Sequence, residues 1–357
     1  MEKVKWGEYK LVDLFEIKGN PQLNKDSFIF NENGKFPYFT RTVFNNGIAG
    51  YVDYLDDEHK INGNCLAVGM IGMQFFYMQK DFYAGQFTKR AIPKSFSLTK
   101  RKATYLISLL NKNQQVFQNV LVRNFENEFN KTKIQLPIQN GKIDFEFMES
   151  FIAEIEAERI AKLEAYLSAT GLKDYTLTTE EKQTLEDFEN VKWQTFNLEE
   201  LFGKSTRGKR LKSADRISGI LPFVTAGETD DGISAFIGND VTIFSKNTTT
   251  IDMFGSAKYR NYQYGGDDHI AVVHTEDLPK FASIFITTAI HKSSHSGKFN
   301  YSRNFYAKDA DELNISLPTQ NNQPNYKIME TFISAIQKSI IKDVVLYAEK
   351  KSNVQND

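Results

Sequence analysis

The sequence contains one internal duplication, and this duplication constrains the fold more than any other feature. Residues 4–6 (Val-Lys-Trp) return as residues 191–193, and further matching blocks follow in the same order, with an offset that drifts only from 187 to 181 residues. An ordered series of matching blocks predicts two copies of one structural unit. The two halves span roughly residues 1–170 and 188–351.

Each half predicts the same succession of local structures. A short amphipathic opening leads into an aromatic-rich stretch whose dipeptides Asn46-Gly47 and Asp231-Gly232 are typical of tight turns between strands. An apolar helix is then expected over residues 105–117 and 281–291. A Leu-Pro dipeptide in each half is expected to break the chain before a long final helix.

Each final helix is predicted to have one apolar stripe at spacing i, i+3, i+4, i+7. The simplest interpretation is a helix packed on its own domain. Because the repeat supplies two equal stripes, we favour an antiparallel pair of helices whose surface is also available to a protein partner. The predicted stripe residues are Met148, Phe151, Ile152 and Ile155 in the first half and Met329, Phe332, Ile333 and Ile336 in the second.

A linker is expected between the halves. Gly171 fits a helix stop, and Thr178 with Glu181 fits a capping box that starts a short connecting helix. The predicted segments are a first domain (1–143), a first spacer helix with linker (144–190), a second domain (191–323), and a second spacer helix with tail (324–357).

The charge is distributed unevenly. Residues 144–190 hold 13 acidic and 4 basic side chains, a net charge of −9, against 40 basic and 32 acidic side chains elsewhere, a net of +8. The remainder is therefore basic enough to permit phosphate contacts without demanding them. No apolar run reaches bilayer length, and a single cysteine allows no internal disulfide, so a cytoplasmic protein is expected.

With these features in place, the sequence resembles the specificity subunits of type I restriction–modification systems and the similar specificity chains of BcgI-like enzymes. The resemblance covers nearly the whole chain. It is carried by the opening Trp6…Leu11…Leu14-Phe15 and its copy Trp193…Leu198…Leu201-Phe202, the Pro37-Tyr38 and Pro222-Phe223 strands, the Leu-Pro dipeptides, and the linker over residues 165–178.

The resemblance implies an α+β chain in which an antiparallel pair of long helices separates two target-recognition domains in tandem. Each domain would read one half of a split, asymmetric double-stranded DNA site. The helices would dock DNA methyltransferase subunits, together with a restriction subunit or fused nuclease. No cofactor is expected on this chain, and S-adenosylmethionine and Mg²⁺ are expected on the partner subunits.

Residues that suit DNA contact concentrate where the halves differ. Arginine suits guanine edges, asparagine suits adenine edges, and lysine mostly meets phosphate. Any one of these side chains is as easily a solvated surface charge, and the matching Arg123-Asn124 and Arg303-Asn304 pairs equally suit a structural ion pair. The predicted contacts are Arg41, Asn45, Lys89, Arg90, Arg101, Arg123, Arg207, Lys209, Arg210, Lys258, Arg260, Lys298, Tyr301 and Arg303.

Catalytic and metal-binding patterns are weak. The chain has neither the glycine-rich cofactor turn nor the flipped-base pocket motif expected of an adenine methyltransferase. Asp267-Asp268-His269 is best interpreted as a turn beside a strand, and Cys65 as a buried residue, so no catalytic or metal residue is predicted. The alternative function is an aromatic-rich carbohydrate- or protein-binding module with two domains.

Overall fold

The computed structural model describes residues 4–120 and 122–353, together with the backbone of residues 354–356. Contacts divide the chain into two compact units, a first within Met1–Lys162 and a second over Leu163–Val354. The two halves of the repeat therefore fold as separate units. The boundary falls inside a long helix, and the expected linker belongs to the second unit.

The first unit mixes short strands with helices, as predicted from the sequence. The strands are β1 (Lys5–Lys10), β2 (Phe15–Gly19), β3 (Phe36–Phe39), β4 (Ile48–Val52), β5 (Cys65–Gly69), β6 (Gln74–Met78), β7 (Tyr83–Ala84), β8 (Thr88–Pro93), β9 (Lys133–Gln139) and β10 (Lys142–Ile143). The helices are α1 (Leu11–Leu14), α2 (Lys100–Lys112), α3 (Gln114–Gln118), α4 (Phe125–Lys131) and α5 (Phe145–Ala169), the last continuing into the second unit.

The second unit repeats this series. Its strands are β11 (Trp193–Asn197), β12 (Thr206–Arg207), β13 (Ser218–Val224), β14 (Ile233–Ile237), β15 (Ile243–Phe244), β16 (Thr248–Asp252), β17 (Ala257–Arg260), β18 (Tyr264–Gly266), β19 (Ile270–Val273), β20 (Asn314–Gln320) and β21 (Gln323–Pro324). Its helices are α6 (Thr179–Asp187), α7 (Leu198–Phe202), α8 (Lys280–Ser294), α9 (Ala307–Asp311) and α10 (Tyr326–Asn356).

The strands of both units assemble into matching small sheets. The first unit has the orders β1-β9-β10, β2-β8-β5-β6 and β4-β3-β7, and the second has β11-β20-β21, β12-β19-β16-β17 and β14-β13-β18-β15. In each unit an inner strand of the last sheet, β3 or β13, pairs antiparallel with the next strand and parallel with β7 or β18. The duplication seen in the sequence is thus a duplication of topology.

The long helices begin in the core of their own units. Met148 of α5 is fully buried in the core of the first unit, with Ile152 packed against the same cluster. Met329 of α10 is likewise fully buried in the second unit, with Phe332 and Ile333 beside it. Burial of these apolar side chains anchors the first turns of each helix in its own unit.

The Leu-Pro dipeptides lie inside strands, so the prediction that they break the chain was wrong. Pro137 stands opposite Trp6 in the β1–β9 pair. Its carbonyl accepts a hydrogen bond from Asp144 N–H at 2.8 Å, on the β10 side. Because the N–H and C=O of a residue point to the same side of a strand, the missing donor faces the end of β10 and costs no bond to β1. Pro318 occupies the same position in β20.

Several local predictions are confirmed. The helix expected over residues 105–117 appears as α2 and α3, and the one expected over residues 281–291 appears as α8. Gly171 has φ +70° just after α5. Thr178 and Glu181 form the capping box at the start of α6. None of the helices in the described residues combines the length and the apolar character needed to cross a lipid bilayer.

Within the second unit, the end of α5 and the linker both pack along α10. Leu167 is buried against Val345, whereas Glu181, further along the chain, contacts Ser334 and Lys338 nearer the start of α10. From Leu167 to Glu181 the chain therefore runs antiparallel to α10. The antiparallel pairing of the two long helices themselves stays a prediction.

Candidate nucleic-acid interface

In the first unit, the turn between β3 and β4 has three consecutive residues in the left-handed region. Asn45, Asn46 and Gly47 have φ angles of 47°, 53° and 77°. Asparagine tolerates this region better than most residues, and glycine has no Cβ to clash. Thr40 N–H donates to the Gly47 carbonyl at 2.8 Å, and Asn45 Nδ2 donates to the Ile48 carbonyl at 3.0 Å. The turn predicted from its Asn-Gly dipeptide is therefore present and internally bonded.

The loop between β5 and β6 packs tightly against this turn. A Cβ placed on Gly69 would lie 2.6 Å from the Cα of Arg41. A Cβ placed on Gly72 would lie 2.5 Å from Cγ1 of Val43. Separations this short suit glycine, so the absence of a side chain at Gly69 and Gly72 lets the two loops pack closely against one another.

The loop before β8 completes the surface. Met70 N–H donates to the Phe87 carbonyl at 2.9 Å, and the Arg41 guanidinium lies 5.7 Å from the centre of the Phe87 ring. Apolar side chains are exposed here, with Phe44 at 79% and Ile71 at 62%. We call this surface the first tip, formed by residues 40–47, 69–73 and 85–88.

Two of the predicted DNA contacts of the first half, Arg41 and Asn45, lie on the first tip. Arg90 does not lie on the tip and is partly buried, donating from Nη1 to Oδ1 of Asn20 at 2.8 Å. Its guanidinium also donates to the carbonyl of Gly19. Arg90 therefore joins β8 to the end of β2, which is a structural task.

The other three predicted contacts of the first half are dispersed. Lys89 pairs with Glu126 of α4 at 3.5 Å. Arg101 of α2 pairs with Glu156 of α5 at 3.0 Å. Arg123 is exposed in the short helical turn before α4. The structure thus does not gather these side chains into one surface with Arg41.

The second unit repeats the backbone of the turn with different side chains. Asp230, Asp231 and Gly232 have φ angles of 49°, 54° and 76°, and Thr225 N–H donates to the Gly232 carbonyl at 2.8 Å. Two exposed carboxylates thus replace the two asparagines of the first turn. We call the equivalent surface the second tip, formed by residues 225–232, 252–256 and 267–270.

Lys258, which was predicted to contact DNA, lies in strand β17 and binds residues of the second tip. Its ammonium donates to the Gly227 carbonyl at 3.1 Å and pairs with Glu228 at 3.2 Å. A hydrogen bond from Ser256 and the Lys258 ammonium together lower the pKa of Glu228 below its ordinary value. The charge of Lys258 is therefore paired with the carboxylate of Glu228 in the second tip.

Arg260 cannot contact DNA, and its prediction as a contact was wrong. Its side chain is only 2% exposed. Nε donates to Oγ1 of Thr250 at 2.9 Å, and Nη1 donates to the carbonyl of Asp231 at 2.7 Å and to the Tyr262 hydroxyl at 3.0 Å. The guanidinium therefore points inward, and its hydrogen bonds link the turn of Asp230 and Asp231 to the sheet.

Strand β12 and the basic loop that follows it carry three of the predicted contacts, Arg207 at the end of the strand and Lys209 and Arg210 in the loop. Arg207 donates from Nε to the Asp268 carbonyl at 2.5 Å, and its guanidinium lies 5.2 Å from the centre of the Tyr306 ring. Lys209 and Arg210 are exposed. Arg207 thus anchors the start of the loop, while the charged side chains of Lys209 and Arg210 are exposed to solvent.

The segment before α9 carries the remaining three predicted contacts, Lys298, Tyr301 and Arg303. Arg303 pairs with Asp309 and lies 5.2 Å from the centre of the Phe299 ring, so the ion-pair interpretation of this residue is supported. Lys298 is exposed, and Tyr301 is 85% exposed. Because Asp309 also accepts a hydrogen bond from Tyr306 N–H at 2.9 Å, the Arg303 segment and the Arg207 loop meet at Tyr306.

The apolar stripes of the long helices are divided between core and surface. The prediction of a partner surface was wrong for Met148 and Met329, because both are fully buried in their own units. Phe151 and Ile155 stay exposed at 41% and 37%. The remaining stripe residues, Ile152, Phe332, Ile333 and Ile336, are half-buried.

Helix α10 has a second apolar stripe that the sequence analysis missed. Ile340, Val344 and Tyr347 are exposed at 73%, 39% and 54%, and they follow one another at spacing i, i+4, i+7. That spacing is visible in the sequence and is the signal that could have identified them. It places all three on one face of the helix.

The apolar side chains of the first tip were also missed. Phe44, Ile71 and Phe87 come from three loops that are distant in sequence, and each looks like a core residue by composition. Only the folded loops bring them together and expose them. The Asn-Gly dipeptide signals the turn but not the character of its neighbours.

Cys65 and the Asp267-Asp268-His269 turn, which were considered as reactive sites, have surroundings that fit structural roles. Burial raises the pKa of the Cys65 thiol to about 12, which keeps it protonated and unreactive at neutral pH. The expected turn at Asp267-Asp268-His269 joins β18 to β19, with its three possible ligand atoms within 4.8 Å of one another. Oδ1 of Asp267 accepts a hydrogen bond from Leu211 N–H at 3.3 Å, and Asp268 pairs with Arg207 at 3.8 Å.

Comparison with known proteins identifies the class. The profile of the type I restriction modification DNA specificity domain matches the chain twice, over residues 3–165 and 190–345. Two such domains in one chain define a specificity subunit with two target-recognition domains. The chain belongs to this family of type I restriction–modification specificity proteins.

Individual relatives agree with this assignment. The chain is 23% identical to the type II restriction enzyme specificity subunit S.BcgI of Heyndrickxia coagulans over 345 residues, covering 95% of this chain and 96% of the relative. Its fold is similar to the crystal structure of the type I restriction–modification S subunit from M. genitalium, with a TM-score of 0.63 at 16% identity. That match covers 99% of this chain and 94% of the other.

Proposed function

We propose that this chain reads a bipartite, asymmetric site in double-stranded DNA, one half with each recognition domain. The observation that carries this proposal is the pair of tips. Both have the same backbone turn, but Asn45 and Asn46 in one correspond to Asp230 and Asp231 in the other. Equal scaffolds with unlike side chains suit two unlike half-sites, whereas a symmetric reader would suit a palindrome.

In this proposal the charge for phosphate contact comes from exposed basic side chains near the recognition surfaces. These side chains are Lys209, Arg210 and Lys298 in the second unit and Arg41 in the first, all of them exposed. Such contacts fix register on the duplex without carrying sequence information. Base edges would be read by the side chains of the tips.

The test is selection of DNA from a random duplex pool by the purified chain, followed by binding measurements between about 50 and 200 mM salt. We expect one split, non-palindromic sequence, and an affinity that falls steeply with salt. A carbohydrate-binding module would give no enriched sequence and an affinity for glycans that hardly depends on salt. Either of those results would contradict the proposal.

The chain is further proposed to be a recognition subunit without chemistry of its own. The exposed stripe of Ile340, Val344 and Tyr347 on α10 and the exposed Phe151 and Ile155 on α5 are the surfaces offered to modification or restriction subunits. S-adenosylmethionine and Mg²⁺ would then act on those partners. Incubating the pure chain with its selected DNA, Mg²⁺ and S-adenosylmethionine tests this, since methyl transfer or cleavage without partners would contradict it.

A further inference from the structure

The first tip combines exposed apolar side chains with a rigid backbone. Phe44 is 79% exposed, Ile71 62%, Phe87 48% and Val43 39%. A cluster of this kind is unusual on a soluble domain and marks a contact site. The glycine packing described above brings the loops that carry these side chains close together, and Phe44 N–H donates to Oγ1 of Thr42 at 3.2 Å.

The charge of the first tip identifies what covers it. Its three loops contain one arginine, Arg41, and no acidic residue, in a chain with 45 acidic residues. The second tip has exposed carboxylates at Glu228, Asp230 and Asp231 in the equivalent turn. An apolar surface with one cation and no acid is complementary to a ligand that is anionic at its edges and has apolar groups between them. The DNA major groove fits this description, with phosphates along its rims and thymine methyl groups on its floor.

We propose that the first tip is a specificity-determining surface that contacts the 5-methyl group of a thymine in the major groove, through Phe44 and Ile71. The guanidinium of Arg41, which lies 5.7 Å from the centre of the Phe87 ring on the same tip, would contact a neighbouring base edge or phosphate. This inference rests on the proposed function and adds the chemistry of one half-site. The methyl group is the feature that distinguishes thymine in the major groove, and apolar side chains are what recognise it.

The experiment starts from the sequence selected by the full chain. The half-site read by the first unit is the half that changes when residues 1–140 are exchanged for those of a relative. Each thymine in that half is then replaced by deoxyuridine, which removes only the methyl group. At one position we expect affinity to fall roughly three- to tenfold, the effect of one buried methyl group.

The variant Phe44→Ala tests whether that loss arises at the tip. In this variant, thymine and deoxyuridine should bind equally at the sensitive position, while Phe44→Leu should retain part of the difference. Ile71→Ala gives a second, independent cycle. The control is Ile29→Ala, because Ile29 is 88% exposed but next to Phe30, which pairs with Val52 at the far end of β4 from the turn.

The outcomes separate the two proposals. If the chain selects no sequence at all, the proposed function fails. If it selects a split site but the first half contains no thymine, or deoxyuridine binds as well as thymine everywhere in it, this inference alone is overturned. A tip that only touches phosphate would lower affinity for both bases equally in Phe44→Ala and leave the thymine preference intact, which would also overturn it.

Discussion

Nη1 of Arg260 donates a hydrogen bond of 2.7 Å to the main-chain carbonyl of Asp231, from a side chain that is 2% exposed. The register position that Arg260 occupies opposite Thr248 is held by Met78 opposite Cys65 in the first unit. A buried guanidinium thus stands where the other domain has a thioether. Its hydrogen bonds explain how the acidic turn is held in place.

The Arg260 contact predicts different effects for two substitutions. Arg260→Ala removes the hydrogen bonds and leaves a cavity, so the unfolding free energy should fall by roughly 3 kcal/mol in urea titration. Arg260→Met fills the space as Met78 does and should restore most of that stability. Amide exchange at residues 229–232 should nevertheless be faster in both variants. Unchanged protection of the turn in Arg260→Met would show that the guanidinium does not hold it.

The exposed pair Lys209 and Arg210 predicts a change in salt dependence. Replacing both by alanine removes up to two phosphate contacts, so the slope of log affinity against log salt should fall by about 1 to 2. The preferred sequence should not change. Lys173→Ala with Lys182→Ala, two exposed lysines of the linker, is the matched control. An equal change in slope for both pairs would remove the basic loop from the interface.

The duplicated topology predicts that specificity can be exchanged by halves. A chimera carrying residues 1–140 of a relative should recognise a site in which only one half is new. Sequencing of selected DNA, or of methylated DNA from the assembled complex, measures this directly. A change in both halves would mean that neither domain reads alone.

The second stripe of α10 predicts where a partner binds. Ile340→Glu combined with Val344→Glu places charge on an apolar face, and affinity for a modification subunit should fall about tenfold or more in a pull-down titration. DNA binding by the isolated chain should not change. Lys342→Glu, on the same helix at another exposed position, is the control. Retained partner affinity in the double variant would assign the docking surface elsewhere.

The capping residue Glu181 predicts a pH dependence of stability. Burial raises its pKa, but hydrogen bonds from Ser334 and Thr178 and the Lys338 ammonium outweigh burial and lower the pKa to about 2, from 4.5. The depressed pKa means that the stabilisation is complete above about pH 4.5 and is lost as pH falls toward 2. It amounts to roughly 3 kcal/mol at most.

The variant Glu181→Gln isolates this contribution. It should be less stable than the parent chain at pH 7, and the difference in unfolding free energy should shrink between about pH 4.5 and 3. Glu180→Gln is a suitable control because Glu180 is exposed on the same turn of α6. A difference that stays constant with pH would contradict the depressed pKa.

Local signals in the sequence predict much of this structure. The Asn-Gly and Asp-Gly turns, the Gly171 helix stop and the Thr178 capping box depend on neighbours only a few residues away. The duplication itself needs no structure to be recognised. These features fix the order of elements in both units.

What the sequence did not predict depends on contacts between distant residues. An apolar stripe shows that Met148 and Met329 face something apolar, but not that it is their own core. Arg260 follows a lysine and a tyrosine and was predicted to contact DNA, yet pairing of β16 with β17 turns it inward. Pro137 marks a break in most contexts, and only the short length of β10 makes it harmless in a strand.

The paired turns separate the residues that shape each tip from those that face outward. In the first tip, backbone geometry is held by Gly47, Gly69 and Gly72, none of which has a side chain to offer a ligand. Phe44 and Ile71 point outward and support nothing beneath them. In the proposed function, stability and target preference are therefore encoded at different positions. Substituting one outward residue at a time would then change the DNA sequence that such a domain recognises and leave its fold unchanged.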